Sequence, residues 1–149
     1  DRIEYLHNEI GDNERHGNVD AAKGGEKMEQ LTSFNKRKKE IIQFYKSQLG
    51  GVGDIEVQQV SDDVNCNWWI PTIKSSRQRD LLRILNDNKM QSRPLWVPMN
   101  QLRMFVNDIY YSKTDGSDFL YKHCLSIPCS TNITNEELLG VSNKIKELF

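Results

Sequence analysis

One helical stripe constrains the fold of this 149-residue chain more than any other feature. Met28, Leu31, Phe34, Ile41, Ile42, Tyr45 and Leu49 recur in steps of three, four and seven, the spacing that puts side chains on one face of an α-helix. "NKRKKE" (residues 35–40) occupies the remaining faces, and "GGVG" (residues 50–53) stops the helix, because glycine tolerates the left-handed conformation of a cap. A long helix with a single apolar face needs a second layer to cover it.

Upstream the pattern fails. In "HNEIGDNERHGNVDAAKGGEKMEQL" (residues 7–31), the places where a buried helix would carry large hydrophobes hold Asp12, Glu14, His16, Lys23, Glu26 and Lys27. Residues 1–27 are therefore expected to be a polar connector and residues 28–149 the folded domain. Because it opens on Asp1 rather than Met, the chain is expected to be a fragment, a processed product or an engineered piece.

Downstream elements are short. "IEV" (residues 55–57) reads as a strand and "VSDDVN" (residues 60–65) as a loop. "CNWWIPTIK" (residues 66–74) is aromatic and β-branched and reads as the main strand, with Pro71 arguing for an edge or a bulge. Ser75 or Ser76 is placed to cap a helix whose inward face is Leu81, Leu82, Ile84 and Leu85. "SRPLWVP" (residues 92–98) is extended, "MNQLRMFVNDIYY" (residues 99–111) is expected to be a short helix, and another helical segment runs through Tyr121. "CLSIPCS" (residues 124–130) reads as a strand ended by Pro128. Thr134-Asn135-Glu136-Glu137 fits a capping box that opens a last helix, with Leu138, Val141, Ile145 and Leu148 inward. The expected fold class is α/β of the α+β type: a small mixed or antiparallel sheet of about three strands covered by helices, with a long N-terminal helix.

Charge and cysteine usage narrow the function. With 37% hydrophobic residues the chain suits one moderate core, and 20 basic against 21 acidic residues give a net charge of -1. That balance creates no field to draw in nucleic acid or an anionic membrane, and no apolar run approaches a membrane span. "KRKK" (residues 36–39) reads as a solvated helix face rather than a phosphate-binding patch. Cys66, Cys124 and Cys129 read as reduced thiols of a cytoplasmic protein. Together with His123 they lack the paired clips of a zinc site, so no metal is expected. His7 and His16 read as solvated. Trp68 and Trp69 should face opposite ways, one into the core and one toward a neighbour or ligand. By residue chemistry alone no catalytic set is present.

Three stretches, "NWWIPTIKSSRQRDLLRILNDNKM", "SRPLWVPMNQLRMF" and "LSIPCSTNITNEELLGVSNKIKEL", resemble the C-terminal region of sugar aminotransferases of the DegT/DnrJ/EryC/StrS group, pyridoxal-phosphate enzymes with the aspartate-aminotransferase type I fold. The opening stretch is similar to that group's Ile-Gly-Tyr-Asn-Tyr-Arg segment, with Ile10, Gly11, Asn13, Arg15, Asn18, Val19, Ala21 and Ala22 retained and the tyrosines replaced by Asp12 and Glu14. The resemblance implies a role for Asn13 at the cofactor phosphate of a neighbouring subunit. It implies that Arg93 and Trp96 border the nucleotide-sugar site. Asn100 stands where many relatives carry histidine, and the same comparison makes it a substrate-binding candidate. It also implies that the Schiff-base lysine and the aspartate at the pyridinium nitrogen belong to a large N-terminal domain. The implied function is amino transfer from an amino acid such as glutamate to a keto-sugar nucleotide for surface polysaccharides. The implied partners are that large domain, a second subunit and the nucleotide sugar. Alone, the 149 residues are expected to bind no cofactor and to be catalytically inactive. The competing expectation is a non-catalytic interaction module, or a solubilised fragment engineered from the same family.

Overall fold

The computed structural model describes residues 24, 25 and 27–149. Its elements in chain order are helix α1 (Leu31–Leu49), strands β1 (Glu56–Val57) and β2 (Thr72–Lys74), helix α2 (Gln78–Asp87), strand β3 (Arg93–Pro94), a 3-10 turn (Met99–Gln101), helix α3 (Gly116–His123), strand β4 (Cys124–Ser126) and helix α4 (Asn135–Lys146). The strands form one antiparallel sheet in the order β1-β2-β4-β3. The sheet thus has four strands rather than three, the extra one being the Arg93–Pro94 pair.

Strand alternation sorts the sheet into two faces. Val57, Ile73 and Leu125 are registered side by side and buried. They meet a helical layer in which α4 packs on both α1 and α2. Ile41, Ile42, Tyr45 and Leu49 from α1, Leu81 and Leu85 from α2, and Leu138, Val141 and Ile145 from α4 complete this core. Full burial of such a side chain stabilises by about 1.5–3 kcal/mol each. The opposite face carries Glu56, Thr72, Lys74, Cys124 and Ser126 and, among the described residues, has no helical layer of that kind over it; Glu56 and Lys74 pair across it at 2.7 Å.

Several local readings hold. The capping box at Thr134 is complete: the Glu137 N–H donates to Thr134 Oγ1 at 3.1 Å, and the Thr134 N–H donates to Glu137 Oε2 at 2.8 Å. Of the stripe that follows, Leu138, Val141 and Ile145 are buried and Leu148 half-buried. On α1 only the second half of the predicted stripe meets the core. Met28 and Leu31 stay 67% and 44% exposed, so the apolar face outruns the layer it packs on. Residues 27–29 are helical, but a turn at Gln30 separates them from α1. Whether the helix starts near Val19 lies outside the described residues.

Other readings are corrected. The predicted strand over residues 66–74 is reduced to Thr72–Lys74, because Trp68 adopts φ 52° and turns the chain before it. β2 is interior, not an edge; Pro71 sits just before it, where its carbonyl accepts the Ile127 N–H. Residues 99–111 form a 3-10 turn and successive turns rather than a helix, with Ile109 and Tyr111 almost fully exposed. An apolar count without a core to bury it in does not sustain a helix. Neither Ser75 nor Ser76 is the N-cap of α2. That position is Arg77, and the turn is held by Asp54 from across the chain. The first left-handed glycine after α1 is Gly51 (φ +79°), one residue beyond the extended Gly50.

Candidate functional site: an aromatic cleft on the open face of the sheet

The chain beyond α2 is fixed before it reaches the site. The side chain of Asn86 accepts the Ser92 N–H at 2.9 Å and donates to the Ser92 carbonyl at 3.1 Å. Ser92 is thereby held, and Arg93 enters β3 opposite Ser126. Pro94 then faces Leu125 on the sheet edge, where a missing N–H does no harm. The next residues swing Trp96 out to 66% exposure.

Trp69 comes from the other side. The turn at Trp68 sends that ring inward, 9% exposed, with the Lys46 ammonium 5.1 Å from its centroid, and sends Trp69 outward to 67% exposure. One tryptophan in and one out is the expected arrangement, achieved by a left-handed residue rather than by strand alternation. Trp69 and Trp96 pair with centroids 6.4 Å apart and planes tilted 36°. Two cavities of about 590 and 680 Å³ share Trp69, Ile70 and Trp96 in their walls. The first extends over the open face to Lys74, Leu120 and Cys124; the second runs past Arg93, Pro128 and Cys129.

Among the residues singled out in the sequence, Arg93 and Trp96 therefore line one cavity together. Asn100 is half-buried in the 3-10 turn and lies in the wall of neither cavity. Asn13 lies outside the described residues. What sequence reasoning missed is the inward part of the basic run. Arg37 donates to the Ile133 carbonyl and, at 3.3 Å, to Asn135 Oδ1; Lys38 donates to the carbonyls of Cys129 at 2.6 Å and Trp69 at 3.1 Å. Half of "KRKK" thus braces the back of the cleft instead of facing water. The helical wheel held that signal, since residues 37 and 38 precede the buried Ile41 and Ile42 by four. Cys124 is buried, which pushes its thiol up, while Cys66 and Cys129 are half-exposed. Among the described residues no group of three or more His, Cys, Asp or Glu is placed to hold a metal ion. Among them, too, no helix is long and apolar enough to cross a membrane.

The profile of the DegT/DnrJ/EryC1/StrS aminotransferase family matches residues 1–146, and the chain belongs to that family. It is 28% identical over 149 residues to GDP-perosamine synthase of Escherichia coli O157:H7, covering 98% of this chain and 40% of that protein. It is also 28% identical over 153 residues to EpsN of Bacillus subtilis strain 168, assigned as a pyridoxal phosphate-dependent aminotransferase, covering 99% and 39%. Among solved structures, DesV of S. venezuelae superposes with a TM-score of 0.84 at 21% identity, over 99% of this chain and 40% of that one. A family aminotransferase from Brucella abortus gives 0.81 at 19% identity, over 94% and 38%. The chain thus spans about 40% of the length of the curated relatives it matches.

Pyridoxal phosphate, the family cofactor, needs a lysine amine for its aldehyde and an acid at its ring nitrogen. The described residues do not fit the whole group. The 680 Å³ cavity has no lysine, aspartate or glutamate in its wall, and the one lysine lining the other, Lys74, is ion-paired to Glu56.

Proposed function

We propose that this chain is the C-terminal small domain of a pyridoxal-phosphate-dependent nucleotide-sugar aminotransferase, residues 28–149, joined through residues 1–27 to a large domain and a second subunit that hold the cofactor chemistry. The carrying observation is the cleft. Two exposed indoles and one exposed guanidinium converge on a cavity whose lining residues include no acid. Aromatic faces suit a base or sugar ring, and a guanidinium suits a diphosphate. Arg93 and Trp96 would border the substrate in the assembled enzyme, with Trp69 beside them and Asn13 at the neighbouring cofactor's phosphate.

On their own the 149 residues transfer no amino group. Mixed with pyridoxal phosphate, glutamate and a keto-sugar nucleotide, the purified chain should show neither a stable bound-cofactor absorbance band nor an aminated sugar. A stable band accompanied by amino transfer would sink the reading. The GDP-perosamine synthase relative supports a nucleotide-linked sugar as the substrate class.

A further inference from the structure

We propose that Lys38 and Cys129 form an oxidant-dependent covalent cross-link, a sulfenamide between Nζ and Sγ. Lysine side chains ordinarily carry a large rotational freedom that keeps an amine away from any one neighbour. Here that freedom is already lost. The Lys38 Nζ is pinned by the carbonyls of Cys129 (2.6 Å) and Trp69 (3.1 Å) and rests 3.3 Å from Cys129 Sγ. The thiol also lines the 680 Å³ cavity, which gives a small oxidant a route to it. Among the described residues no lysine amine hydrogen-bonds to the sulfur of Cys66 or Cys124; Cys66 Sγ instead accepts the Trp68 N–H at 3.4 Å.

The chemistry balances with hydrogen peroxide as the only oxidant. The Cys129 sulfur attacks peroxide, the O–O bond breaks and takes two electrons from sulfur, and a sulfenic acid and one water result. The Lys38 nitrogen, as free amine, then attacks the sulfenyl sulfur. An S–N bond forms, the S–O bond breaks, and the hydroxyl leaves with an amine proton as a second water, with no further change in electron count. The product ties α1 to the chain beyond β4, behind Trp69 and beside Arg93. A thiol reductant reverses it by attacking sulfur.

The test treats the chain, in a Cys66→Ser, Cys124→Ser background that leaves Cys129 without a disulfide partner, with stoichiometric hydrogen peroxide. Intact mass should fall by two hydrogens, peptide mapping should join the fragments carrying residues 38 and 129, and dithiothreitol should restore the parent mass. Lys38→Arg keeps the charge and the donors, but should leave Cys129 as an oxygen adduct without the mass loss. The proposal is overturned if Cys129 of the parent stays unoxidised, if it carries only added oxygen, or if the loss of two hydrogens persists in Lys38→Arg. The peptide map of the parent decides the matter even if the arginine variant folds poorly.

Discussion

Asn86 grips the backbone of Ser92 in both directions, accepting its N–H at 2.9 Å and donating to its carbonyl at 3.1 Å. Ser92 is 4% exposed, so water does not readily replace either bond. Asn86→Ala should lower unfolding stability by about 1–3 kcal/mol in a urea titration, the range for leaving such groups unpaired. Asn86→Asp keeps the acceptor, loses the donor and should fall between. On the proposed function, Asn86→Ala in the complete protein should raise KM for the nucleotide sugar more than it lowers kcat, because Arg93 is loosened rather than removed. Wild-type stability in Asn86→Ala would show that the clamp does not hold β3.

The start of α2 makes the protein sensitive to acid. The Asp54 carboxylate accepts from the Ser75 hydroxyl at 2.6 Å, the Ser76 N–H at 2.7 Å and the Ser76 hydroxyl at 2.6 Å. These bonds favour the charged form and hold the carboxyl at about 2, below its ordinary 3.8. The folded value is lower than the unfolded one. The stabilisation is therefore fully present above about pH 4 and is lost as the pH falls from about 4 toward 2. Asp54→Asn should have a lower Tm than the parent at neutral pH and a flatter decline through that window. Parallel Tm curves for the two proteins below pH 4 would remove Asp54 as the cause.

Asp54 also illustrates what the chain's sequence conveys. Features written within a few residues were legible: the stripe through Ile41, Ile42, Tyr45 and Leu49, and the box in which Thr134 and Glu137 satisfy each other. The hold of Asp54 on Ser76 was not, since it reaches across 22 residues. The same applies to Lys38, whose acceptors on Cys129 and Trp69 lie 91 and 31 residues away. Arg93 and Trp96 were found through the family motif, and only folding shows that Trp69 joins them. Trp68 misled the strand assignment because a left-handed tryptophan contradicts its own β preference.

Tyr45 should resist alkali. It is fully buried, and its hydroxyl donates to the Pro128 carbonyl at 2.7 Å. Burial, helped by the nearby Cys129, pushes the phenol well above its ordinary value of 10.0. The folded state thus holds the proton more tightly than the unfolded chain. The resulting stability is complete below about pH 10 and is lost as the pH rises beyond it. Phenolate absorbance should show one tyrosine ionising only with global unfolding, and Tyr45→Phe should abolish that delayed step. Tyr45→Phe also orphans the Pro128 carbonyl, for a loss of about 1–3 kcal/mol.

Two glycines after α1 should respond differently to the same change. Gly51 (φ +79°) has open space around it, so Gly51→Ala meets only backbone strain, a loss of about 1 kcal/mol. Gly53 (φ +52°) faces the Phe149 ring, into which an added Cβ would run. Gly53→Ala should therefore lose more than Gly51→Ala, by about 1–3 kcal/mol for the overpacking. Gly53→Ala with Phe149→Ala should recover that difference in a double-mutant cycle. Equal losses for the two single changes would mean that the ring moves aside freely.

The cleft itself can be read through its own fluorophores. Trp68 is 9% exposed, whereas Trp69 and Trp96 are 67% and 66% exposed, and these are the three tryptophans of the chain. Acrylamide should quench most of the emission of the parent. Trp69→Phe with Trp96→Phe should leave a blue-shifted, poorly quenched signal from Trp68 alone. Trp96→Ala exposes no core, so its stability should stay within about 0.5 kcal/mol of the parent. On the proposed function, the same substitution in the complete protein should raise KM for the nucleotide sugar, because an aromatic face at the cleft rim is lost without disturbing the helices behind it. Nucleotide sugar should also shield Trp69 and Trp96 from acrylamide there. Unchanged quenching at saturating substrate, together with an unchanged KM in Trp96→Ala, would place the substrate elsewhere.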